Sequence, residues 1–169
     1  MPVHRSTSLI STEQSPSSIA LILETLENAA RFFAEAAAKM TPTEISKPLT
    51  PGEWSFHEVM AHLLTTNDVA MNAIVYALAL KEPSLPEIHA RREWGKAVRY
   101  EEHRFEDLLA AYQFKRRVML HVLRDLTPKK WTTALHRPKS RSTTVYLQAR
   151  GMALHDLEHV EHLKSLGKG

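Results

Sequence analysis

The sequence predicts an all-α domain built as a four-helix bundle, and two features of the chain lead to this prediction. The 169 residues include only 5 glycines and many Ala, Leu, Glu and Arg, a composition that favours helices. Four stretches with the apolar periodicity of helices are separated by segments that contain prolines. A chain of this length fits one domain, and a four-helix bundle is the economical way to pack four such helices.

The first helix is predicted to follow a Ser/Thr-rich lead-in. Residues 1–17 are expected to be flexible, and the single domain is expected over residues 18–169. Ser17 or Ser18 offers an N-cap for a helix that runs to about Met40. The segment from Thr41 to Trp54 is predicted to be a loop because its three prolines remove donors and disfavour helical backbone.

The second helix is predicted to begin at Ser55 and to run to about Lys81. Ser55 and Glu58 have the spacing of a capping box, in which each side chain accepts a bond from a free backbone N–H. The connection that follows, from Glu82 to about Arg99, is longer than the roughly two to eight residues usual between antiparallel helices. A long connection allows the second and third helices to run parallel, which predicts the order up-down-down-up.

The remaining two helices are predicted on either side of one more break. The third runs from about Tyr100 to Leu126, with apolar residues along one stripe. The break from Thr127 to Ser142 contains Pro128 and Pro138. The fourth helix is predicted from about Thr143 to Leu166 and ends before Gly167.

Composition excludes several kinds of site. The chain has no Cys, so it forms no disulfide, thiolate metal site or cysteine nucleophile, and a metal would need nitrogen and oxygen ligands. The longest apolar run, Val69 to Leu80, is far shorter than the roughly 20 residues that span a bilayer. We therefore expect a cytoplasmic protein that does not enter membranes.

The stretch from Ala153 to Leu163 reads ALHDLEHVEHL and places three histidines on one helix face. His155 and His159 are four residues apart, close enough for both rings to reach one ion. His62 lies about 10 Å from the start of the second helix, and His159 lies about 10 Å from the end of the fourth. If these two helices are antiparallel, as the predicted order requires, the three residues lie at one level.

Three motifs resemble those of the DinB/YfiT-like superfamily, a family of metal-dependent enzymes. They are PGEWSFHEVMAHL (residues 51–63), the Leu-Pro at residues 85 and 86, and HDLEH (residues 155–159). The resemblance implies a four-helix bundle, frequent homodimers and a divalent ion held by His62, His155 and His159. Members often have a second His at the position of Glu158 and a Gln near that of His162, so the rim of this site differs.

A three-histidine site leaves coordination positions open, as a catalytic metal requires. Zn is favoured, and Ni or Fe also suit such ligands. The resemblance implies either transfer or isomerisation with an external low-molecular-weight thiol or metal-assisted hydrolysis of a small-molecule substrate. Glu58 is a candidate base or supporting residue, and His162 a candidate fourth ligand or proton shuttle. Asp156 is expected to be a supporting or solvent-facing residue, and Trp54 a packing residue.

Two other functions remain open from the sequence. The first is a non-enzymatic homodimeric binding or stress-response bundle whose histidines have lost their function. The second is nucleic-acid binding by the basic residues between Lys115 and Arg150. Nucleic acid is the less favoured partner, because no series of aromatic residues accompanies this charge, as a stacking platform for bases requires.

Overall fold

The four long helices predicted from the sequence are present in a computed structural model. The model describes residues 9–48, 50–86, 88–138 and 141–166. The main contacts join α1 to α7 and α5, and α3 to α7 and α5. The bounds of these helices are α1 Pro16–Ala37, α3 Phe56–Ala79, α5 Phe105–Arg124 and α7 Val145–Leu166.

The connections contain short elements that the sequence did not predict. The loop before α3 includes the helix α2, and the long connection before α5 includes a π-helical turn at residues 90–94. Two strands of two residues each pair antiparallel beside α7. The other short elements are α2 Pro42–Ser46, α4 Gly95–Val98, the 3-10 turn Tyr100–Glu102, α6 Pro128–Trp131, β1 Ala134–Leu135 and β2 Thr143–Thr144.

Helix α1 begins earlier than the sequence indicated. Its N-cap is Ser15, whose hydroxyl accepts from the backbone N–H of Ser18 at 3.1 Å, whereas Ser17 and Ser18 lie inside the helix. Pro16 occupies the first helical position, where its fixed φ suits the helix and its missing N–H needs no partner. The predicted cap was wrong because the proline was assigned to the lead-in instead of the helix.

Part of the lead-in expected to be flexible packs against α7. Ile10 is only 1% exposed and belongs to the core. The Tyr146 hydroxyl donates to the carbonyl of Ser11 at 2.8 Å, and Arg150 Nε donates to the carbonyl of Ile10 at 2.9 Å. Residues 1–8, Lys139 of the basic residues between Lys115 and Arg150, and Gly167 after the last helix lie outside the described residues.

The core divides into two clusters along the bundle. The first cluster contains the first halves of α1 and α7 and the second halves of α3 and α5. The second cluster contains the opposite halves, including Phe33, Phe56 and Tyr112, whose rings are in contact. Among the described residues, no helix is both long and apolar enough to cross a membrane.

The capping box that begins α3 is confirmed. The hydroxyl of Ser55 accepts from the backbone N–H of Glu58 at 3.2 Å, and Glu58 Oε2 accepts from the backbone N–H of Ser55 at 2.8 Å. Ser55 is buried, at 3% exposure, whereas Glu58 is exposed. The box fixes the start of the helix that carries His62.

Ser55→Ala is expected to lower the free energy of unfolding by about 1 kcal/mol, because the N–H of Glu58 loses its acceptor. Urea unfolding followed by circular dichroism measures the change. Ser55→Gly is the matched control, since glycine at an N-cap costs only about a few tenths of a kcal/mol. Equal losses in the two variants would contradict a capping role for the hydroxyl.

Candidate metal centre

Three histidines from two helices come together where α3 packs against α7. His155 and His159 are one turn apart on α7, so their side chains lie on one face, and His62 projects from α3. One ring nitrogen of each histidine lies within 4.8 Å of those of the other two. The structure thus brings together the three residues predicted as ligands, while their ligand role remains a prediction.

The three imidazole rings contact one another closely. Nε2 of His62 and Nε2 of His155 are 2.9 Å apart. The ring centroids are separated by 4.9 Å for His62 and His155, 5.2 Å for His62 and His159, and 4.7 Å for His155 and His159. The rings are inclined to one another by 60–72°, so their nitrogens point inward from different directions.

Trp54 forms a wall of this cluster, which is more than the packing role predicted for it. Its ring stacks on that of His159, with centroids 6.3 Å apart and planes inclined by 11°. Its edge also meets the ring of His62 at 5.0 Å. Trp54 lies immediately before the capping box, so the start of α3 places both the tryptophan and His62 in the site.

Burial keeps the imidazoles of His155 and His159 uncharged. Burial and, after it, the neighbouring His155, His62 and His162 together lower the pKa of His159 to about 3. Burial also lowers the pKa of His155, although the carboxylates of Asp156 and Glu158 oppose this effect. Both rings are therefore neutral at pH 7 and offer a lone pair, as a metal ligand must.

The metal-free protein is expected to lose stability as the pH falls below about 6.5. The unfolded chain binds protons at its histidines near that pH, whereas folded His159 binds one only near pH 3. Since the unfolded state binds more protons between these values, acidification favours unfolding. Urea unfolding at pH 7.5 and 5.5 in the presence of a chelator measures the difference. His159→Phe should reduce the dependence, and an unchanged slope in that variant would contradict the assignment.

A buried ion pair lies directly behind His155. Nη2 of Arg116 donates to Oδ2 of Asp156 at 2.7 Å, and both side chains are almost fully buried, at 1% and 2% exposure. The Tyr112 hydroxyl donates to the same oxygen at 2.7 Å. Burial, followed by the Asp156 carboxylate, raises the pKa of Tyr112 well above its ordinary value, so the phenol remains a donor. Asp156 is therefore buried and faces no solvent.

A cavity of about 240 Å³ opens beside His62. His62, Trp54 and Glu58 line it from α3 and the residues before it, and the segment between α3 and α5 contributes Lys96 and Glu101. The sequence analysis did not identify the last two residues. The only feature of the sequence that pointed to them was the unusual length of the connection in which they lie. Long connections often carry residues of a functional site.

Two other histidines lie apart from the cluster. His162 is half-buried, and its Nε2 is 3.8 Å from Oε2 of Glu53, outside the group of three. The Nε2 of His57 makes a 2.8 Å hydrogen bond with the carbonyl of His103. The structure therefore gives no support to a role for His162 as a fourth ligand.

The family of the chain follows from comparison with known proteins. A model of the DinB superfamily matches residues 25–163, a range that includes all three clustered histidines. The chain belongs to the DinB superfamily. This confirms the family indicated by the sequence motifs. No curated protein matches this DinB chain in sequence.

Solved structures similar to this DinB chain confirm a helical bundle. One of them is YfiT from Bacillus subtilis, which is described as a probable metal-dependent hydrolase with an unusual four-helix bundle topology. It has a TM-score of 0.79 and 18% sequence identity, and the match covers 94% of this chain and 90% of YfiT. TT2238, a four-helix bundle protein, has a TM-score of 0.59 and 17% identity over 87% of this chain and 98% of its own.

A third similar structure is the mycothiol-dependent maleylpyruvate isomerase. It has a TM-score of 0.58 and 13% identity, and it matches over 82% of this chain and 59% of its own. The DinB chain therefore corresponds to part of that enzyme. At these identities the three likenesses establish the fold.

The donor set of this DinB chain fits a divalent transition metal. Zinc bonds to imidazole nitrogen at about 2.0–2.1 Å, so two nitrogens on a tetrahedral ion lie about 3.4 Å apart. The 2.9 Å contact between His62 and His155 is close to that separation, and the remaining nitrogen lies within 4.8 Å. The three imidazole nitrogens are thus close enough together to be the donors of one ion.

Proposed function

We propose that this protein is a metal-dependent enzyme and that His62, His155 and His159 hold a divalent transition ion. The observation that carries the proposal is the convergence of three ring nitrogens within 4.8 Å of one another. Their neutral state supports it, because burial lowers the pKa of both His155 and His159. Zn is the favoured ion, and Ni and Fe are the alternatives that imidazole ligands suit.

We propose metal-assisted hydrolysis of a small-molecule substrate as the reaction. A metal with three histidine ligands supplies an acidified water or polarises a carbonyl or phosphoryl oxygen when it is bound. The cavity beside His62 admits the substrate, and the flat ring of Trp54 shields the neighbouring His159 from water. The description of YfiT as a probable metal-dependent hydrolase supports this choice.

Glu58 is the proposed proton-transfer residue. It lines the same cavity as His62 and lies one turn before it on α3. Both of its capping bonds, from the N–H and the hydroxyl of Ser55, use Oε2. The cap holds the carboxylate in place, and Oε1 takes up the proton.

The second candidate is transfer or isomerisation with an external low-molecular-weight thiol. It is favoured by the structural likeness to the mycothiol-dependent maleylpyruvate isomerase. In this reaction the three histidines would hold the ion that binds the thiolate. The third possibility is a non-enzymatic bundle, and it predicts a protein that neither binds nor needs a metal.

We also propose the helix order up-down-down-up and a homodimeric assembly. The helix order is supported by the two core clusters, which pair the first halves of α1 and α7 with the second halves of α3 and α5. The homodimer is the assembly that the resemblance to this family implies. Light scattering coupled to size-exclusion chromatography tests the assembly.

The functional test begins with protein purified without added metal. Elemental analysis is expected to find about one transition-metal ion per chain, and a panel of chromogenic esters, amides and phosphate esters is then assayed. Hydrolysis that is lost with a chelator and restored by metal supports the first candidate. Activity that appears only with an added thiol supports the second, and the absence of a bound metal after reconstitution overturns both.

A further inference from the structure

Residues 94–102, which we call the strap, form one wall of the cavity at the metal centre. The strap contains α4 and the 3-10 turn and belongs to the long connection between α3 and α5. Gly95, Lys96 and Glu101 of the strap line the cavity together with His62 of α3. The position of the strap therefore determines how open this cavity is.

The strap lies directly against the helix that carries His62. A Cβ atom at Gly95 would lie 3.5 Å from Cγ2 of Thr65, which is an ordinary van der Waals contact. Thr65 and Ala61 line the cavity on the same face of α3 as His62, and they are only 5% and 4% exposed. The strap therefore covers the face of α3 beside His62.

The strap itself contributes little to the core. No residue of α4 or of the 3-10 turn is buried. Leu85 before the strap and Phe105 after it are 6% and 9% exposed and belong to the two core clusters. Segments with few buried contacts open locally at a lower free energy than the core does. The connection is thus fixed at both ends and held less firmly between them.

The hydroxyl of Tyr100 joins the strap to the bundle. It donates to Oδ2 of Asp68 at 2.6 Å, and Nζ of Lys115 donates to the other oxygen of this carboxylate. Nζ of Lys115 also lies 3.4 Å from the Tyr100 hydroxyl. Within the described part of the chain, every hydrogen bond between residues 94–102 and a long helix involves this hydroxyl.

The residue before Tyr100 has a strained backbone. Arg99 has φ 47° and ψ 49°, and it is the only non-glycine residue with a positive φ in the described ranges. A side chain in this left-handed region persists only where the surrounding structure enforces it. The bond from Tyr100 to Asp68, directly after Arg99, opposes this strain.

We propose that Tyr100 is a positioning residue that controls access to the metal centre. Its bond to Asp68 keeps the strap against α3 and holds Lys96 and Glu101 at the cavity wall, and breaking of this bond opens the cavity beside His62 for the substrate. The proposal rests on the proposed function for what enters the cavity, but the movement of the strap can be measured in the metal-free protein.

The first test is amide hydrogen exchange of the metal-free full chain, compared with Tyr100→Phe. The phenyl ring still packs against the second core cluster, so the variant removes only the hydroxyl. The amides of Arg99 and Glu102 donate to carbonyls within the strap, and such short turns are unstable once they leave α3. We expect these amides to exchange at least ten-fold faster, with those of α3 and α5 unchanged. Tyr76→Phe, which removes a hydroxyl from an exposed ring of α3, should have no effect.

The second test measures access to the cavity by the rate at which diethyl pyrocarbonate modifies His62, followed by mass spectrometry of peptides. We expect Tyr100→Phe to raise this rate at least three-fold in the metal-free protein. His121, whose side chain is 80% exposed, is the internal reference and should react equally in both proteins.

Asp68→Asn provides a second variant and should also accelerate exchange in the strap. Because Tyr100 and Asp68 share one bond, the double variant should exchange less than two-fold faster than Tyr100→Phe alone. Four results would each overturn the proposal: unchanged exchange in the strap of Tyr100→Phe, equally accelerated exchange in α3 and α5, unchanged reactivity of His62, or effects of the two substitutions that multiply. A protein that binds no metal would overturn the proposed function and leave these measurements unaffected.

Discussion

Replacement of His155 by alanine is expected to abolish stable metal binding. The variant keeps two imidazoles, which belong to different helices and would have to hold the ion without the nitrogen that lies 2.9 Å from His62. Loss of a residue that merely supports a ligand typically costs about 10- to 100-fold in metal affinity, and loss of a ligand should cost more. Elemental analysis and isothermal titration with Zn²⁺ measure the effect.

The matched control is His162→Ala. His162 lies on the same helix one turn beyond the cluster, is half-buried and faces Glu53 at 3.8 Å. This variant removes the same amount of side chain from the same helix and should retain the metal. His62→Ala and His159→Ala should behave like His155→Ala, since all three residues belong to one group. A fully loaded His155→Ala protein, or a metal-free His162→Ala protein, would show that the ligand set is wrong.

The sequence predicted the histidine cluster because its members are set by regular periodicities. A separation of four residues puts His155 and His159 on one face of any helix, and the capping box at Ser55 fixes the level of His62 on α3. Helix rise and helix direction then suffice to predict that they meet. The side-chain spacing, the cap position and the helix rise each depend only on nearby residues or on the number of residues along a helix, so they can be obtained from the sequence.

The surroundings of the cluster were not predictable in the same way. Lys96 and Glu101 reach the cavity from a connection whose path depends on how a π-helical turn and two short helical turns pack against α3. Asp156 lies about 100° round the helix from His155. The sequence therefore places Asp156 on another face of α7, but it does not show which residue that face contacts. Only the tertiary fold reveals that this face meets Arg116 of α5.

Asp156→Asn is expected to lower the free energy of unfolding by about 3–5 kcal/mol. The substitution removes the negative charge from a site where Arg116 is 1% exposed and leaves the guanidinium without a counter-charge. The side chain remains similar in size, so the loss would be due to charge and hydrogen bonding and not to a cavity. Because domains of this kind are stable by only about 5–15 kcal/mol, the effect is a large part of the total. Urea unfolding at pH 7.5 measures it.

The control for Asp156→Asn is an ion pair of similar length on the surface. Arg124 Nη2 lies 2.7 Å from Glu27 Oε2, but the two side chains are 49% and 57% exposed. Water and salt screen this pair, so Glu27→Gln should change the stability by less than about 1 kcal/mol. If both variants lost the same stability, burial could not be the cause of the effect at Asp156.

The double variant Arg116→Met with Asp156→Leu separates the roles of the buried pair in stability and in the metal centre. Replacing both charges by apolar side chains of similar size is often neutral or stabilising, because neither group then pays for its removal from water. The Tyr112 hydroxyl would lose its acceptor in this variant, so the double variant is made together with Tyr112→Phe. In that background we expect it to recover most of the stability lost in Asp156→Asn. If it also binds Zn²⁺ as tightly as the original protein, the pair serves only to join α5 to α7. If the fold is restored but the affinity stays at least ten-fold weaker, the pair also holds His155 in position for the metal.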